Sequence, residues 1–484
     1  MTTHPPTPEQ QLIIDAAVNT SDNLIVSALA GAAKTTTLVM VAQALHKEQI
    51  LCLAFNKKIA VEMAERLPSN CQSMTLNSLG HRTWAEAIGR KVILNKDKNY
   101  EILTNLVKEL PKKEQEQAYA EFADTLKAIE SGKSCGYIPT GHFSNAKRLM
   151  DDDEFFNWLE DEPSSLQWKL IVDVTLESIA QGLKGTIDFS DQILLPTVFP
   201  SMFPAFPVVL IDEAQDLSAL NHATLRKLAK KRLIAVGDSN QAIYGFRGAH
   251  EDSMSKMKEE FHMKELTLSV SFRCPVSVVE AARWRAPHMQ YPTWAKSGLV
   301  EHKELWTQED VPQTAAIICR NNAPLFSMAI RLLKNKRYPQ IIGNDIGKYL
   351  VKLMKKFGKS SMDREEVLIQ IALWVEEKLK KSRSPQKVHD QADCLRIFAA
   401  EGETLGDAIA YAEHLFNSQG PILLMTGHKA KGLEFDCVFF LDEHLIDIEQ
   451  GQEKNLRYVI QTRSKSELYY VNSDDFRSEL EEAA

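Results

Sequence analysis

The length, composition and charge of the chain exclude several classes of protein. Its 484 residues suffice for two to four domains, and 44% apolar with 25% charged residues is the composition of a globular protein. No apolar run approaches the roughly 20 residues that cross a bilayer, and residues 1–7 lack the apolar core of a signal peptide. We therefore expect an intracellular protein with no membrane partner, cytoplasmic, or nuclear if its source is eukaryotic.

The cysteines and the net charge restrict the kinds of site. Seven cysteines lie far apart with no C-x-x-C pair, which predicts neither a zinc site nor a disulfide framework. The net charge of −8 argues against a protein that coats nucleic acid through bulk electrostatics. Any nucleic-acid site should therefore be a local groove.

The first predicted elements have the order of a phosphate-binding loop. Residues 24–28 predict a strand, residues 29–33 a turn of small residues, and Lys34 opens a helix. In such a loop the backbone N–H groups and the helix N-terminus bind phosphate oxygens, a lysine reaches the β and γ phosphates, and the next hydroxyl ligates magnesium. Leu29 and Ala33 stand where the loop favours glycine, so an ordinary small-residue turn is the alternative.

Two further strands end in small hydrogen-bonding residues. The first of these strands ends directly before Phe55 and Asn56. The second is predicted over residues 74–78 and contains Thr75 and Asn77. Hydroxyl and amide groups at such positions hold the phosphates of nucleic acid without reading its sequence. A plain turn from strand to helix is the alternative for each of them.

The pattern from residue 88 to 190 is helical and strongly charged, and it includes an acidic run at residues 151–154. We interpret this segment as a helical insertion in the first nucleotide-binding domain. Its acidic run is typical of a solvated face.

Residues 208–216, VVLIDEAQD, are the stretch around which the rest of the chain is organised. Four apolar residues run directly into Asp212 and Glu213, the pattern of a strand that is buried on both faces and delivers acids to the carboxyl edge of a parallel sheet. Unpaired buried carboxylates cost several kcal/mol, so a cation or a water must meet them. Magnesium suits Asp212 and a water to be activated suits Glu213, whereas a core strand with a polar turn is the alternative.

A glycine-rich loop follows the next predicted strand, residues 232–236, and carries Gln241, Tyr244 and Phe246. A glutamine beside the acids is suited to contact a γ-phosphate. In a loop with this much glycine, we interpret the aromatic residues as stacking on nucleic-acid bases and not as packing in a hydrophobic core. Such stacking is worth about 1–3 kcal/mol per base.

The second half repeats the alternation of strands and helices. Strands are predicted at residues 266–270, 315–319, 422–425, 438–441 and 468–471, and a helix at 455–461. We expect three basic residues at the ends of these elements, Arg273, Lys431 and Arg463, to face one phosphate site, although a single arginine there would normally be structural. Residues 331–387 contain 15 Lys/Arg against 6 Asp/Glu. One hypothesis is that the basic segment 345–387 grips duplex DNA ahead of a junction, and the alternative for each lysine is a solvated helix.

Together these segments resemble a superfamily 1 DNA helicase of the UvrD/Rep/PcrA type, nearly end to end. The matching motifs, in the family's order, are TPEQ, ALAGAAKT, AFNK, TLNS, LIDEAQD, GDSNQAIYGFRGA, SFR, TGHKAKGLEF and YVIQTRS. The IYGFRGA string is the most specific of them. The resemblance implies an α/β fold with two RecA-like P-loop domains, each with a parallel sheet and a mainly helical insertion.

The likeness also implies domain boundaries. The first RecA-like domain would comprise residues 1–87 and 191–275 around the insertion 88–190, and the second would comprise 276–344 and 421–484 around a small accessory insertion, 345–420. A chain this compact resembles the helicase part of F-box DNA helicases or a small phage-type relative.

The resemblance assigns the nucleotide site to matching positions. Gln10 would bind the adenine edge, Phe272, usually tyrosine in this family, would stack on the base, and Glu434 would hold the ribose. Phosphates would contact residues of the loop and the first turn of its helix, namely Ala30, Gly31, Ala32, Ala33, Lys34, Thr35 and Thr36.

The same likeness assigns the catalytic groups. Thr35 and Asp212 would ligate Mg²⁺, and Glu213 would act as general base toward water. The γ-phosphate would be contacted by Gln241, Arg273 and Arg463. The two arginines would act as fingers that stabilise transition-state charge, a role worth roughly 10³–10⁵ in rate.

A path for single-stranded DNA is implied as well. It would be lined by Phe55, Asn56, Thr75, Asn77, Tyr244, Phe246 and His428. The chain departs from the family at several positions, since Asn77 replaces a common histidine, Phe246 the usual tryptophan and Ser464 the alanine after the arginine finger.

The predicted activity is an ATP-dependent helicase that moves on single-stranded DNA, 3′ to 5′ by analogy with this branch. It would act at junctions of single- and double-stranded DNA in repair, recombination or replication, with a loading, replication or repair protein as partner. One alternative is a nucleotide-regulated DNA-binding protein with weak turnover, motivated by Leu29 and Ala33. Another is the motor subunit of a helicase–nuclease complex whose nuclease is a partner.

Overall fold

A computed structural model describes residues 5–54, 56–228, 231–245 and 252–477. The chain divides into two compact units, the first formed by Met1–Ala28 with Ala33–Ser269 and the second by Leu29–Ala32 with Val270–Ala484. Phe55 and Phe246, both predicted to contact DNA, lie outside the described residues.

The first unit is built on a parallel sheet. Its strands are β1 (Leu24–Ala28), β2 (Ile50–Ala54), β3 (Cys71–Thr75), β4 (Ile93–Leu94), β5 (Thr186–Ile187), β6 (Val208–Ile211), β7 (Arg232–Gly237) and β8 (Lys264–Leu268). In the described part of this unit, the sheet has the order β3-β2-β6-β7-β1-β8, while β4 pairs only with β5. Strands β2, β6 and β7 are buried at every position, as expected for apolar runs covered on both faces.

Helices pack around this sheet and make up most of residues 88–190, the segment predicted to be an insertion. They are α1 (Pro8–Asn19), α2 (Lys34–Ala44), α3 (Lys57–Arg66), α4 (Leu76–Ile88), α5 (Lys98–Glu109), α6 (Lys112–Ala120), α7 (Phe122–Cys135), α8 (Asp152–Trp158), α9 (Ser165–Leu183), α10 (Asp191–Val198), α11 (Ala219–Leu228) and α12 (Ser253–Glu260). Strand β6 has the predicted bounds and ends directly before Asp212.

Two of the predicted strands end earlier than expected. The strand predicted over residues 74–78 is wrong in its second half, because β3 ends at Thr75 and α4 begins at Leu76. The Thr75 hydroxyl accepts the backbone N–H of Ser78 (3.2 Å), which caps the helix. The strand predicted at residues 266–270 ends early, at Leu268, since the backbone N–H and the hydroxyl of Ser269 donate to Glu9 (2.8 and 2.6 Å).

Residues 98–191 of the first unit contain a buried network of two lysines and two aspartates. Lys98 pairs with Asp191, and Lys133 pairs with both Asp188 and Asp191, the latter at 2.6 Å. The Lys98 ammonium also donates to the carbonyl oxygen of Ser178 (2.7 Å). Burial is the largest influence on the pKa of Lys98, and it lowers that pKa. Two positive and two negative charges therefore compensate one another in the interior.

Removing one charge from this network should destabilise the first unit strongly. Lys98→Met leaves Asp191 buried with one cation fewer, a change that costs about 3–5 kcal/mol in comparable pairs. Urea denaturation should show this loss of unfolding free energy, whereas Lys127→Met, which breaks a solvent-exposed pair with Glu160, should cost less than about 1 kcal/mol. Equal effects of the two substitutions would contradict the prediction.

The second unit has its own parallel sheet. Its strands are β9 (Leu299–Lys303), β10 (Trp306–Thr307), β11 (Ala316–Cys319), β12 (Pro339–Ile341), β13 (Ile422–Thr426), β14 (Phe435–Leu441), β15 (Ser464–Val471) and β16 (Phe476–Arg477). Among the residues described here, the sheet has the order β12-β13-β11-β14-β15-β9, and β10 pairs with β16. The fold is thus α/β with two parallel sheets, as predicted.

The helices of the second unit include those of the accessory segment. They are α13 (Val276–Ala282), α14 (Asn322–Lys334), α15 (Asn344–Phe357), α16 (Arg364–Leu379), α17 (Pro385–Ala400), α18 (Leu405–Asn417), α19 (Gly427–Ala430) and α20 (Glu453–Gln461). Helices α15 to α18 share one hydrophobic core with the sheet, through residues such as Leu350, Phe398 and Phe416. In the ranges that are described, no helix combines the length and apolar character that spanning a bilayer requires.

Candidate nucleotide-binding and catalytic site

The phosphate-binding loop has the backbone that its chemistry requires. Ala33, the residue before α2, has φ 56° and ψ 40°, so an alanine occupies the left-handed conformation for which this position favours glycine. That conformation costs a residue with a Cβ about 1–2 kcal/mol. Leu29 is not among the described residues with positive φ, so leucine at that position carries no such strain.

Lys34 and Thr35, the first residues of α2, meet the two acids after β6. The Lys34 ammonium lies 3.4 Å from Glu213 Oε2, and the Thr35 hydroxyl donates to Asp212 Oδ2 at 2.6 Å. Strand order explains this meeting, because β7 lies between β1 and β6 and the three parallel strands end at one edge. The four predicted residues therefore form one cluster within the first unit.

Asp212 lies in an environment that favours a cation. Burial, and secondly the charge of Glu213, raise the pKa of Asp212 to about 6. The Thr35 hydroxyl and the Asp212 carboxylate are hard oxygen donors, which Mg²⁺ prefers, and Mg²⁺ usually takes only one or two protein ligands beside phosphate and water. The pair therefore fits Mg²⁺ held jointly with a nucleotide.

Glu213 is oriented by its own backbone and by a glutamine. It has φ 54°, and its carboxylate accepts the side-chain amide of Gln215 at 2.5 Å. The carbonyl oxygen of that amide accepts the backbone N–H of Asp238 (3.0 Å), at the end of β7. Gln215 thus links the acidic turn to the neighbouring strand and holds the Glu213 carboxylate in place.

Gln241 is held by a residue that the sequence analysis missed. Its side-chain amide donates to Asp238 Oδ2 (2.6 Å), and burial raises the pKa of that aspartate. Asp238 follows a buried strand directly, as Asp212 does, so the rule that parallel strands end at one edge was sufficient to identify it.

Gln10 lies inside the first unit with both ends of its amide engaged. Its oxygen accepts the backbone N–H of Thr7 (3.0 Å), and its nitrogen donates to the Thr37 hydroxyl (3.0 Å). These contacts cap α1 and join it to α2. The amide oxygen has a second lone pair and the nitrogen a second N–H, so the prediction that Gln10 binds an adenine edge is compatible with both contacts.

Arg273 has donors that lack a partner. Its Nη2 lies 2.5 Å from Glu434 Oε1, but its Nε and Nη1 are buried without a hydrogen-bond acceptor among the described residues. Such unsatisfied donors are costly, and phosphate oxygens are acceptors of the matching geometry. Arg273 and Glu434, both predicted nucleotide residues, are therefore brought together in the second unit.

Arg463 follows α20 and is almost completely buried. Its guanidinium donates to the carbonyl oxygens of Val459 (2.9 Å) and Leu433 (3.3 Å). Burial, and next the charge of Arg273, lower the pKa of Arg463 to about 10. The predicted pair of arginines thus lies close enough to interact electrostatically.

A short loop segment belongs to the second unit. The backbone N–H of Ala30 donates to the hydroxyl of Tyr458 on α20 (3.0 Å). Gly31 has φ 75°, and a Cβ there would lie 2.5 Å from Ser271 Oγ and 2.7 Å from Arg273 Cβ. Only glycine fits this position.

Predicted DNA-contacting residues lie at a cleft of the first unit. Asn77 and Tyr244 line a cavity of about 280 Å³ together with Phe189, which is 51% exposed. Asn77 donates to the carbonyl oxygen of Phe189 (2.9 Å), so it also ties α4 to the insertion. Phe189 was not among the predicted residues, although an aromatic residue between two polar neighbours, Asp188 and Ser190, is a visible signal in the sequence.

The other predicted DNA-contacting residues occupy helix starts. The side chains of Asn56 and Thr75 cap α3 and α4. This arrangement matches the alternative interpretation of both residues, a plain turn from strand to helix. His428 lies on the short helix α19 of the second unit.

Comparisons with known proteins agree with these observations. Residues 7–262 match the UvrD/REP helicase N-terminal domain and residues 421–471 the UvrD-like helicase C-terminal domain. F-box DNA helicase protein 1 of Schizosaccharomyces pombe is 23% identical over 96% of this chain and 57% of its own length. DNA helicase II of Haemophilus influenzae is 24% identical over 54% of this chain and 38% of its own.

The chain spans about half the length of the curated relatives it matches. The first family match alone covers more than half of the 484 residues, and it includes the acids, the phosphate loop and the cleft described above. The chain belongs to the UvrD/REP helicase family.

Proposed function

We propose that this protein is an ATP- and Mg²⁺-dependent helicase that moves on single-stranded DNA. The observation that carries the proposal is the cluster of Lys34, Thr35, Asp212 and Glu213 beside a helix N-terminus. A lysine, a hydroxyl and two carboxylates at that place are what phosphoryl transfer from a nucleotide requires.

Each side chain has a distinct role in this proposal. Lys34 binds the β and γ phosphates, and Glu213 takes a proton from the attacking water while Gln215 holds its carboxylate. Gln241, held by Asp238, contacts the γ-phosphate. Thr35 and Asp212 hold Mg²⁺, which neutralises phosphate charge when it is bound.

The arginines of the second unit stabilise the transition state. Arg273 has two unsatisfied donors for phosphate oxygens, and Glu434, which pairs with it, is suited to accept from a ribose hydroxyl. Arg463 carries a guanidinium that its helix holds through Val459. Arg463 remains charged throughout the physiological pH range, since even its lowered pKa is about 10.

The cleft of the first unit binds single-stranded DNA in this proposal. Tyr244 and Phe189 offer ring faces for bases, and Asn77 offers an amide for the backbone. The Lys96 ammonium lies 5.9 Å from the centre of the Phe189 ring, which adds positive charge beside it. Stacking tolerates any base, as a motor that moves along DNA requires.

Tyr244→Ala should weaken binding of single-stranded DNA. Loss of one stacking ring costs about 1–3 kcal/mol, so the dissociation constant for an oligonucleotide should rise roughly 5- to 150-fold. Fluorescence anisotropy of a labelled oligothymidylate measures this change. Tyr100→Ala, which removes an exposed ring elsewhere in the first unit, is the control and should leave affinity unchanged. Equal affinities for both variants would contradict the assignment of this cleft.

The finer parts of the proposal rest on the family. We propose 3′ to 5′ movement, action at junctions in repair, recombination or replication, a partner that loads the motor, and an intracellular location where DNA and ATP are present. The names of the matched relatives, DNA helicases, support DNA as the substrate, and the resemblance to the UvrD/Rep/PcrA branch motivates the direction, the pathway and the partner.

Unwinding of tailed duplexes tests the proposal. The full chain, with ATP and Mg²⁺, should separate a duplex with a 3′ single-stranded tail and leave a blunt duplex or one with a 5′ tail intact. Reversed tail preference would contradict the direction alone. DNA binding that depends on ATP without hydrolysis would instead favour the nucleotide-regulated binding protein, for which the strained backbone of Ala33 is the structural argument.

A further inference from the structure

Trp294 is an exposed tryptophan beside the residue predicted to stack on the base of the nucleotide. It is 70% exposed, the largest fraction for any aromatic side chain in the described ranges. Tryptophan usually has most of its surface buried, so strong exposure points to a binding role. Its ring lies beside Phe272, with centroids 6.2 Å apart and planes inclined by 29°.

The aromatic pair adjoins residues of the nucleotide site. The backbone N–H of Phe272 donates to the carbonyl oxygen of Gly31 (2.9 Å) in the loop segment of the second unit. Arg273 follows directly and pairs with Glu434. A base that stacks on Phe272 therefore lies next to groups suited to phosphate and ribose.

The turn that carries Trp294 is anchored on both sides of the ring. The backbone N–H of Ala295 donates to Pro292 (2.9 Å), which closes the turn. Two further hydrogen bonds hold the segment that follows the turn. The backbone N–H groups of Val276 and Ser277 donate to the carbonyl oxygens of Lys296 and Ser297, both at 2.9 Å. Trp294 is thus held beside Phe272 while its side chain can still rotate.

The two rings lie at the distance of an ordinary aromatic contact. Aromatic pairs in contact have centroids about 4.5–7 Å apart, and the observed 6.2 Å lies in that range. A flat base between two parallel rings needs about 7 Å between the ring faces, since each contact takes about 3.5 Å. The exposed Trp294 side chain must therefore rotate away from Phe272 to admit a base between them.

We propose that Phe272 and Trp294 clamp the purine base of the nucleotide, so that Trp294 is a further base-binding residue. The inference rests on the proposed function, because it concerns the nucleotide of the same site. Stacking reads the face of a base and not its hydrogen-bonding edge. Gln10, the residue expected to read that edge, is engaged with Thr7 and Thr37. Trp294 should therefore contribute equally to ATP and GTP.

Steady-state kinetics test the clamp. Trp294→Ala should raise KM for ATP and for GTP by the same factor, about 5- to 150-fold, the range that corresponds to 1–3 kcal/mol of stacking, with kcat unchanged. Trp294→Phe should restore most of the affinity. Tyr338→Ala, a 66% exposed ring of the same unit, is the matched control and should change neither constant. KM values for Trp294→Ala within twofold of the wild type would overturn the proposal.

Direct binding separates this inference from the proposed function. ADP should quench the tryptophan fluorescence of the full chain, and Trp294→Phe should lose that quenching while still binding ADP in a calorimeter. If the wild type hydrolysed no nucleotide but showed this quenching, the motor would be wrong and the clamp right. If it hydrolysed ATP and the quenching persisted in Trp294→Phe, the clamp alone would be wrong.

Discussion

Glu213→Gln should nearly abolish ATP hydrolysis and leave ATP binding intact. The amide has the shape of the carboxylate but cannot accept a proton from water, and positioned general bases contribute about 10²–10⁴ in rate. We therefore expect kcat to fall by about that factor. ATP affinity should not fall, because the substitution removes a negative charge that would repel the phosphates.

Single-turnover hydrolysis with radiolabelled ATP measures the chemical step directly. Glu265→Gln, which neutralises an exposed acid paired with Lys258 in the same unit, is the control and should hydrolyse ATP at the wild-type rate. A Glu213→Gln protein that kept more than a tenth of the wild-type rate would remove Glu213 from the catalytic role.

Arg463→Ala should lower kcat more than any other single change in the second unit. Arginine fingers contribute roughly 10³–10⁵ in rate, because a guanidinium stabilises the charge that develops on the transferred phosphoryl group. The effect should appear mainly in kcat, with a smaller rise in KM for ATP. Arg396→Ala, which breaks an exposed pair with Asp393, is the control and should leave both constants unchanged.

The burial of Arg463 makes a second variant necessary. Arg463→Ala also removes hydrogen bonds to Val459 and Leu433, so thermal unfolding must accompany the kinetics. Arg463→Lys keeps the positive charge but lacks the planar fork, so it should fold normally and still lose most of the activity. Full activity in Arg463→Lys, with unfolding at the wild-type temperature, would show that the finger is elsewhere.

The sequence predicted the parts of the fold that depend on continuous local patterns. Residues 208–211 are uniformly apolar, and β6 has those bounds because a strand covered on both faces admits no polar position. The meeting of Lys34 with Glu213 followed from two strand ends in one parallel sheet. Periodicity alone failed at residues 74–78, where a threonine cap decided the boundary.

Other features depended on contacts distant in sequence. The hydrogen bond from Gln10 to Thr37 joins two helices, and no sequence pattern near residue 10 predicts it. Residues 345–420 were expected to form an accessory insertion. Their helices share the hydrophobic core of the second sheet, and only the positions of Phe398 and Phe416 in the folded structure reveal this. The exposure of Trp294 is likewise a property of the folded surface.

Hydrolysis of ATP with and without single-stranded DNA tests the central claim, that this chain couples nucleotide turnover to movement on DNA. The account predicts that the full chain hydrolyses ATP slowly with Mg²⁺ alone, that an oligothymidylate raises the rate severalfold, and that Tyr244→Ala requires a higher oligonucleotide concentration for the same rate. An ATPase rate unaffected by DNA at any concentration, in a protein that binds ATP, would contradict it.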